Sequence, residues 1–222
     1  MKHIRGEGNT RMPKPRPRLD ALLAMAVIAA LATSAAPASA QDYPSRPITL
    51  IVPYAAGGGN DLMARTAAEK MSKTLGHQIV IENRGGAGGS IATRAIAKAA
   101  PDGYTLGLGG TGTLAINPTL YGNVGYDPRK DFAPIGLIAT SALVVCVHPA
   151  LAARSIGELI ALAKTQPEKL NYASAGTGSG IHLGTEYFAA MAGIKLTHIP
   201  YKGFGQDGPP AISAKIIKWL WI

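Results

Sequence analysis

The stretch ITLIVPYAAGGGNDLMARTAAEKMSKTL, residues 48–75, decides the fold. Its first five residues are β-branched or leucine and are bounded by Pro47 and Pro53, the composition of a short strand buried on both faces. Its last part repeats Ala64, Ala68, Met71 and Leu75 at three- and four-residue spacing, an apolar helical face that closes at Gly76. Between them Gly57, Gly58 and Gly59 remove Cβ atoms where the chain leaves the strand and opens the helix, with Asn60 as the expected N-cap. A helix start leaves backbone N–H groups unpaired and carries about half a positive charge, so glycines there admit an anionic oxygen close to the amides. One such loop alone reads better as a plain turn between packed elements; recurrence is what gives it weight.

The unit does recur. Gln78–Glu82 reads as a second strand, followed by the glycine loop from Asn83 to Gly89 and a helix from about Ser90 to Ala99, whose face is Ile91, Ala92, Ala95, Ile96 and Ala99. Tyr104–Leu108 is a third strand, ending in the glycines of 109–112. Residues 117–131 are rich in Pro, Gly, Asn and Asp and read as a connection with turns, Pro118 interrupting any helix. Two apolar runs follow, 135–139 and 143–147. Ser155 and Glu158 then form a capping box ahead of Ile156, Leu159, Ile160 and Ala163. Leu170–Ala173 is a strand, Ser174–Gly180 a small-residue loop, and Ile181, Gly184, Phe188 and Met191 the face of a helix stopping at Gly193, before a strand at Lys195–Ile199. Two blocks of alternating strand and helix imply an α/β fold of two lobes with mostly parallel sheets. Loops at the strand ends of both lobes then face a common cleft.

The net charge of +9 does not point to nucleic acid, because +4 of it lies in residues 1–40. There a basic run (Lys14, Arg16, Arg18), an apolar stretch from Ala21 to Ala32, and Ala38-Ser39-Ala40 make the three parts of a secretory signal peptide cleaved after Ala40, with Met1 or Met12 as the start. The apolar stretch is shorter than the roughly 20 residues that span a bilayer. Cys146 is the single cysteine and sits in an apolar run, a packed thiol without a His or acid placed to ionise it.

Motifs for turnover fail. Neither Ser174 nor Ser179 has the glycines of a nucleophile elbow, no Gly-Lys-Ser or Gly-Lys-Thr exists, and His182 with Glu186 supplies only two of the ligands a metal requires. GLGGTG at Gly107–Gly112 fits G-x-G-x-x-G and leaves a dinucleotide-binding oxidoreductase as the alternative, weakened by Pro118 and by the lack of an acid placed for a ribose. Hydrogen-bond donors without a nucleophile indicate binding.

Four stretches together are similar to the substrate-binding proteins of tripartite tricarboxylate transporters, the Bug or TctC-like family: YPSRPITLIVPYAAGGGNDLMAR, IENRGGAGGSIATRAIAKAAPDGYTL, LAINPTLYGNVGYDPRKDFAPIGLIA and NYASAGTGSGIHLGTEYFAAMAGIKLTHIPYKG. The resemblance implies a periplasmic binding-protein fold of type II and capture of a small carboxylate for membrane transporter subunits. It implies a monomer with no cofactor and no nucleic-acid partner. Carried over residue by residue, it implies ligand contacts from Tyr54, Gly58, Asp61, Gly88, Ser90 and Thr111 in a first lobe of residues 41–140. From a second lobe of 141–203 it implies Ser174, Gly176, Thr177, Ser179, His182 and Tyr201. Asp61 is equally suited to stabilising its own helix. The segment 204–222 departs from the family pattern and reads as an aberrant tail after a truncation or frameshift, leaving the second lobe incomplete. Within it Ile212, Ile216 and Leu220 fall on one helical face.

Overall fold

The computed structural model describes Met25, residues 42–205 and the backbone of residues 216–221, so the expected signal peptide lies outside the described residues apart from Met25. Contacts divide the chain into Met1–Asp42 and Tyr43–Ile222, and every strand and helix named below belongs to the second unit. Strand β1 (Ile48–Val52) is the middle of a three-stranded parallel sheet between β2 (Ile79–Asn83) and β3 (Thr105–Gly107). Ile48, Leu50 and Val52 pack with Ile79 against α1 (Gly59–Leu75), through buried Ala64 and Ala68 and half-buried Met71 and Leu75. Small side chains on that helical face let it lie close on the sheet. Ile51, on the opposite face, is buried too, and its register partner Gly107 lies under Ile96 of α2 (Ser90–Ala97) with no room for a side chain. Cover on both faces is what a continuous apolar strand requires, and each large side chain so buried contributes about 1.5–3 kcal/mol.

The second sheet has the order β4-β7-β5-β6, formed by β4 (Leu143–Val147), β5 (Asn171–Ser174), β6 (Thr197–Pro200) and β7 (Ile216–Trp221). Strand β5 runs parallel to β6 and β7, while β4 is antiparallel to β7. Leu159 and Ala163 of α4 (Ile156–Thr165) and Ala189 of α5 (Gly180–Ala192) close a core around Tyr172, Leu170 and Ile194. Between the sheets the chain passes through a π-helical turn (Gly112–Ile116) into the short α3 (Asn117–Tyr121).

Several expectations are corrected. Asn60 is inside α1 and does not cap it; Gly58, in extended backbone, precedes the first helical residue. Pro118 opens α3 instead of breaking a helix, since a first-turn proline has no hydrogen bond to lose. Ile91, Ile156 and Met191 point outward, and Thr93, Thr185 and Ala189 take the buried positions on α2 and α5, a rotation of the helical face that small and threonine side chains tolerate. The run 135–139 forms neither helix nor strand, with Ile135 and Leu137 more than 80% exposed. Within the tail, residues 216–221 do not continue a helical face: they pair as a strand on both edges, inside the second sheet. No helix among the described residues is long and apolar enough to cross a membrane.

Candidate functional site

At the C-terminal ends of β1 and β3 lies a pocket of about 50 Å³, bounded by Pro53, Tyr54, Asn60, residues 108–112 and Gly180. Asn60 is in the first turn of α1 and Gly180 begins α5, so the N-terminal ends of two long helices, one from each sheet, meet at one opening. Both carry the unpaired amides and positive end of the helix dipole. Of the expected ligand residues, Tyr54 and Thr111 line the pocket. Thr111 is exposed; beneath it Thr113 is fully buried and its hydroxyl ties both the N–H and the carbonyl of Gly110, holding that loop in shape. Burial, reinforced by Tyr126, pushes the Tyr54 phenol up to about 12, so it remains a donor at neutral pH, with Gly88 O at 3.5 Å.

Asp61 serves its own loop. It is 4% exposed, and its Oδ2 accepts from Gly57 N–H at 2.9 Å and Arg65 Nε at 2.9 Å, while Oδ1 is buried without a partner. Burial by itself pushes its pKa up, but hydrogen bonds from Arg65, Gly57 and Asn83 and the charge of Arg65 outweigh it and hold the carboxyl below its ordinary value. Gly58 is covered by the Phe204–Gly205 backbone.

The loops of the two lobes touch. Gly88, at φ 59°, lies so close to the Thr177 carbonyl that a methyl group there would overlap it. Gly178, at φ 81°, likewise has no space beside the side chain of Asn117. Asn117 is fully buried and donates to Gly88 O at 3.1 Å and to Ser90 Oγ at 2.9 Å. Tyr121 OH donates to Thr177 O at 2.8 Å, a direct bond from α3 to the second-lobe loop.

Within that loop the expected hydroxyls face inward. Ser174 Oγ accepts from Gly176 N–H at 3.1 Å, Ser179 N–H donates to Gly176 O at 3.0 Å, and Ser179 caps α5 by accepting from His182 N–H at 3.2 Å. Ser174 and Ser179 are 0% and 1% exposed, so they brace the loop instead of lining the opening. Gly176 is buried against Gly88, Thr177 is exposed, and Tyr201 N–H extends the sheet by donating to Ser174 O at 3.0 Å. His182 Nδ1 accepts from Gly178 N–H at 3.3 Å, and its ring stacks on His198 at 4.2 Å. Ser174 and His198 resemble a hydroxyl–imidazole dyad at 2.6 Å, but the hydroxyl is sealed from any substrate. Asn117, Tyr121 and His198 were missed: the first precedes a proline in a turn-like stretch, and His198 hides in an ordinary strand alternation. The structure speaks against the dinucleotide alternative: the glycines of 107–112 lead into a single π-helical turn, and even a methyl group added to Gly112 would lie 3.0 Å from Gly178 O and 3.2 Å from Gly180 N, which crowds the place of a pyrophosphate. No cluster of metal-binding side chains exists among the described residues.

Two α/β sheets whose glycine loops and helix N-termini converge on one small opening define a two-lobed α/β binding protein. The chain belongs to the tripartite tricarboxylate transporter receptor family (TctC), which it matches over residues 63–218. That match includes much of the tail, which the sequence alone left outside the resemblance. Among solved structures the chain is similar to the periplasmic binding protein BugD (41% identity, TM-score 0.68, 73% of this chain and 54% of that one). It is also similar to Rpa4515 of R. palustris with adipate (41%, 0.71, 73% and 54%) and to MatC of Rhodopseudomonas palustris with bound malate (34%, 0.70, 73% and 55%). The chain spans about half the length of the curated relatives it matches, 54% and 57% of two of them.

Proposed function

We propose that this chain captures a small dicarboxylate or tricarboxylate in the periplasm and delivers it to the membrane subunits of a tripartite transporter, without turnover. The observation that carries this is the meeting of the α1 and α5 N-termini at one pocket beside the Thr111 hydroxyl. In this reading the first-turn amides at Asn60 and Gly180 hold carboxylate oxygens, Thr111 and the protonated Tyr54 donate, and Thr177 closes the rim. Each charge-assisted hydrogen bond contributes about 1.5–3 kcal/mol, and micromolar affinity needs about 8 kcal/mol net, so several such bonds suffice without an arginine clamp. The relatives' adipate and malate are both dicarboxylates, in keeping with a site built on amides at two ends. The family and the leader-like residues 1–40 support the periplasmic part of this reading.

Isothermal titration and thermal shift with adipate, malate and citrate, against an uncharged sugar of similar size, test the proposal. Binding of at least one acid is expected, weakened by Thr111→Val. Binding of the sugar with no response to any acid overturns it.

A further inference from the structure

Behind the second-lobe glycine loop lies a cluster the site does not use directly. His198 on β6 is stacked between Tyr172 on β5, at 4.8 Å, and His182 on α5, at 4.2 Å. Each histidine is bonded to the loop, and for His182 the partner fixes the protonation. Gly178 N–H can only donate, so His182 Nδ1, its acceptor, carries no proton. Ser174 Oγ accepts from Gly176 N–H and meets His198 Nε2 at 2.6 Å, where the hydroxyl either donates to the ring or accepts a second hydrogen from it. His182 is therefore a neutral acceptor with its proton on Nε2, and the matching acceptor form of His198, with its proton on Nδ1, is part of the proposal. We propose that His182 and His198 are positioning residues for the loop 174–179, holding it only as neutral imidazoles, so that proton uptake by the pair releases the loop and lowers ligand affinity. The second half rests on the carboxylate-capture reading.

The surroundings favour the neutral forms. Burial lowers the pKa of both rings, and for His198 burial and then the neighbouring His182 bring it to about 4, against the opposing pull of Glu186. Among the described residues, Glu186 on α5 is the carboxylate that acts on the pair, and it accepts a short hydrogen bond from Tyr172 OH. On α4 the charged Glu158 and Lys164 are exposed, and on β7 Lys218 holds the register position of Ala173, between Tyr172 and Ser174. A proton on His182 Nδ1 would set two donors against each other at Gly178.

Side-chain nitrogen NMR of the full chain without ligand tests the first half. Both histidines are expected in the stated tautomers, His198 still neutral at pH 6, where a free imidazole is mostly charged, and His182 less charged there than a free imidazole. The opposite tautomer on either ring, or charging of both by pH 6, overturns the positioning role whether or not any acid binds. Adipate titration at pH 7.5 and pH 5 tests the second half. His182→Ala with His198→Ala should weaken binding about tenfold or more at pH 7.5. His182→Asn with His198→Gln, which keeps an acceptor oxygen at each place, should restore it and remove most of the acid sensitivity. Because the ligand's own protonation affects every variant equally, an identical pH 7.5 to pH 5 change in wild type and the Asn/Gln pair overturns the acid release, as does tighter wild-type binding at pH 5. Failure of any carboxylate to bind at pH 7.5 refutes the function and with it the acid-release half, while the NMR result stands by itself.

Discussion

Gly88→Ala is the sharpest perturbation of the site. The residue sits at φ 59°, a region that costs an L side chain about 1–2 kcal/mol. The added methyl also overlaps the Thr177 carbonyl and crowds Gly178 backbone, which, unlike a flexible side-chain tip, does not swing aside. Overpacking of this kind costs about 1–3 kcal/mol. The two contributions fall on different observables. Backbone strain acts on folding, so Tm drops by a few degrees, at roughly 2–4 °C per kcal/mol for a chain of this size. The overlap lies between lobes and is relieved when they part, so it acts on ligand-bound closure, and 1–3 kcal/mol there weakens affinity by about 5- to 150-fold. Calorimetric titration with adipate beside a thermal melt separates the two. Gly136→Ala, with open space around it and no positive φ, is the control and should change neither. A Gly88→Ala protein that folds and binds like wild type would refute the claim that these loops meet when ligand is held.

Three further outcomes are expected. Both histidines have folded pKa values below their unfolded value of about 6.5, so the unfolded chain binds more protons in between; urea-measured stability should be full above pH 6.5 and fall toward pH 4. For half-buried His198 the unscreened figure of about 3 kcal/mol reduces to about 1–2, and a flat profile across that window would contradict the neutral pair. Asp61→Ala removes the acceptor of Gly57 N–H and should lower stability by about 1–2 kcal/mol at pH 7, a deficit that shrinks as pH falls below about 4, where the unfolded chain's carboxyl takes up a proton before the folded one. Tyr121→Phe deletes only the hydroxyl bonded to Thr177 O, so titration should find affinity reduced about 2- to 10-fold with Tm nearly unchanged.

The parts of this fold governed by local pattern were legible in the chain. The β1 run, the Ala64–Leu75 face with its Gly76 stop, the Ser155–Glu158 capping box and the Gly193 stop all appear where periodicity and capping chemistry put them. Ser155 Oγ accepts from Glu158 N–H, although the Glu158 carboxylate reaches Arg154 N–H in place of the capping residue's own. What escaped depends on contacts distant in sequence. Asn117 is polar and precedes a proline, so nothing local tells that it is buried against Gly88 and Ser90, nearly thirty residues earlier. The inward turn of Ser174 follows from its bond to His198, 24 residues away. Strand pairing of 216–221 is likewise set by β4 and β5, while the side-chain spacing alone suits a helix equally well.

The contact between the loops has a kinetic meaning. Tyr121 OH on Thr177 O and Gly88 against the Thr177 carbonyl tie the two lobes together beside the opening, so in the carboxylate-capture reading a ligand enters only after the lobes separate. Arrival is then gated by that separation: at rising solute concentration the observed association rate levels off at the opening rate instead of climbing toward the diffusion limit.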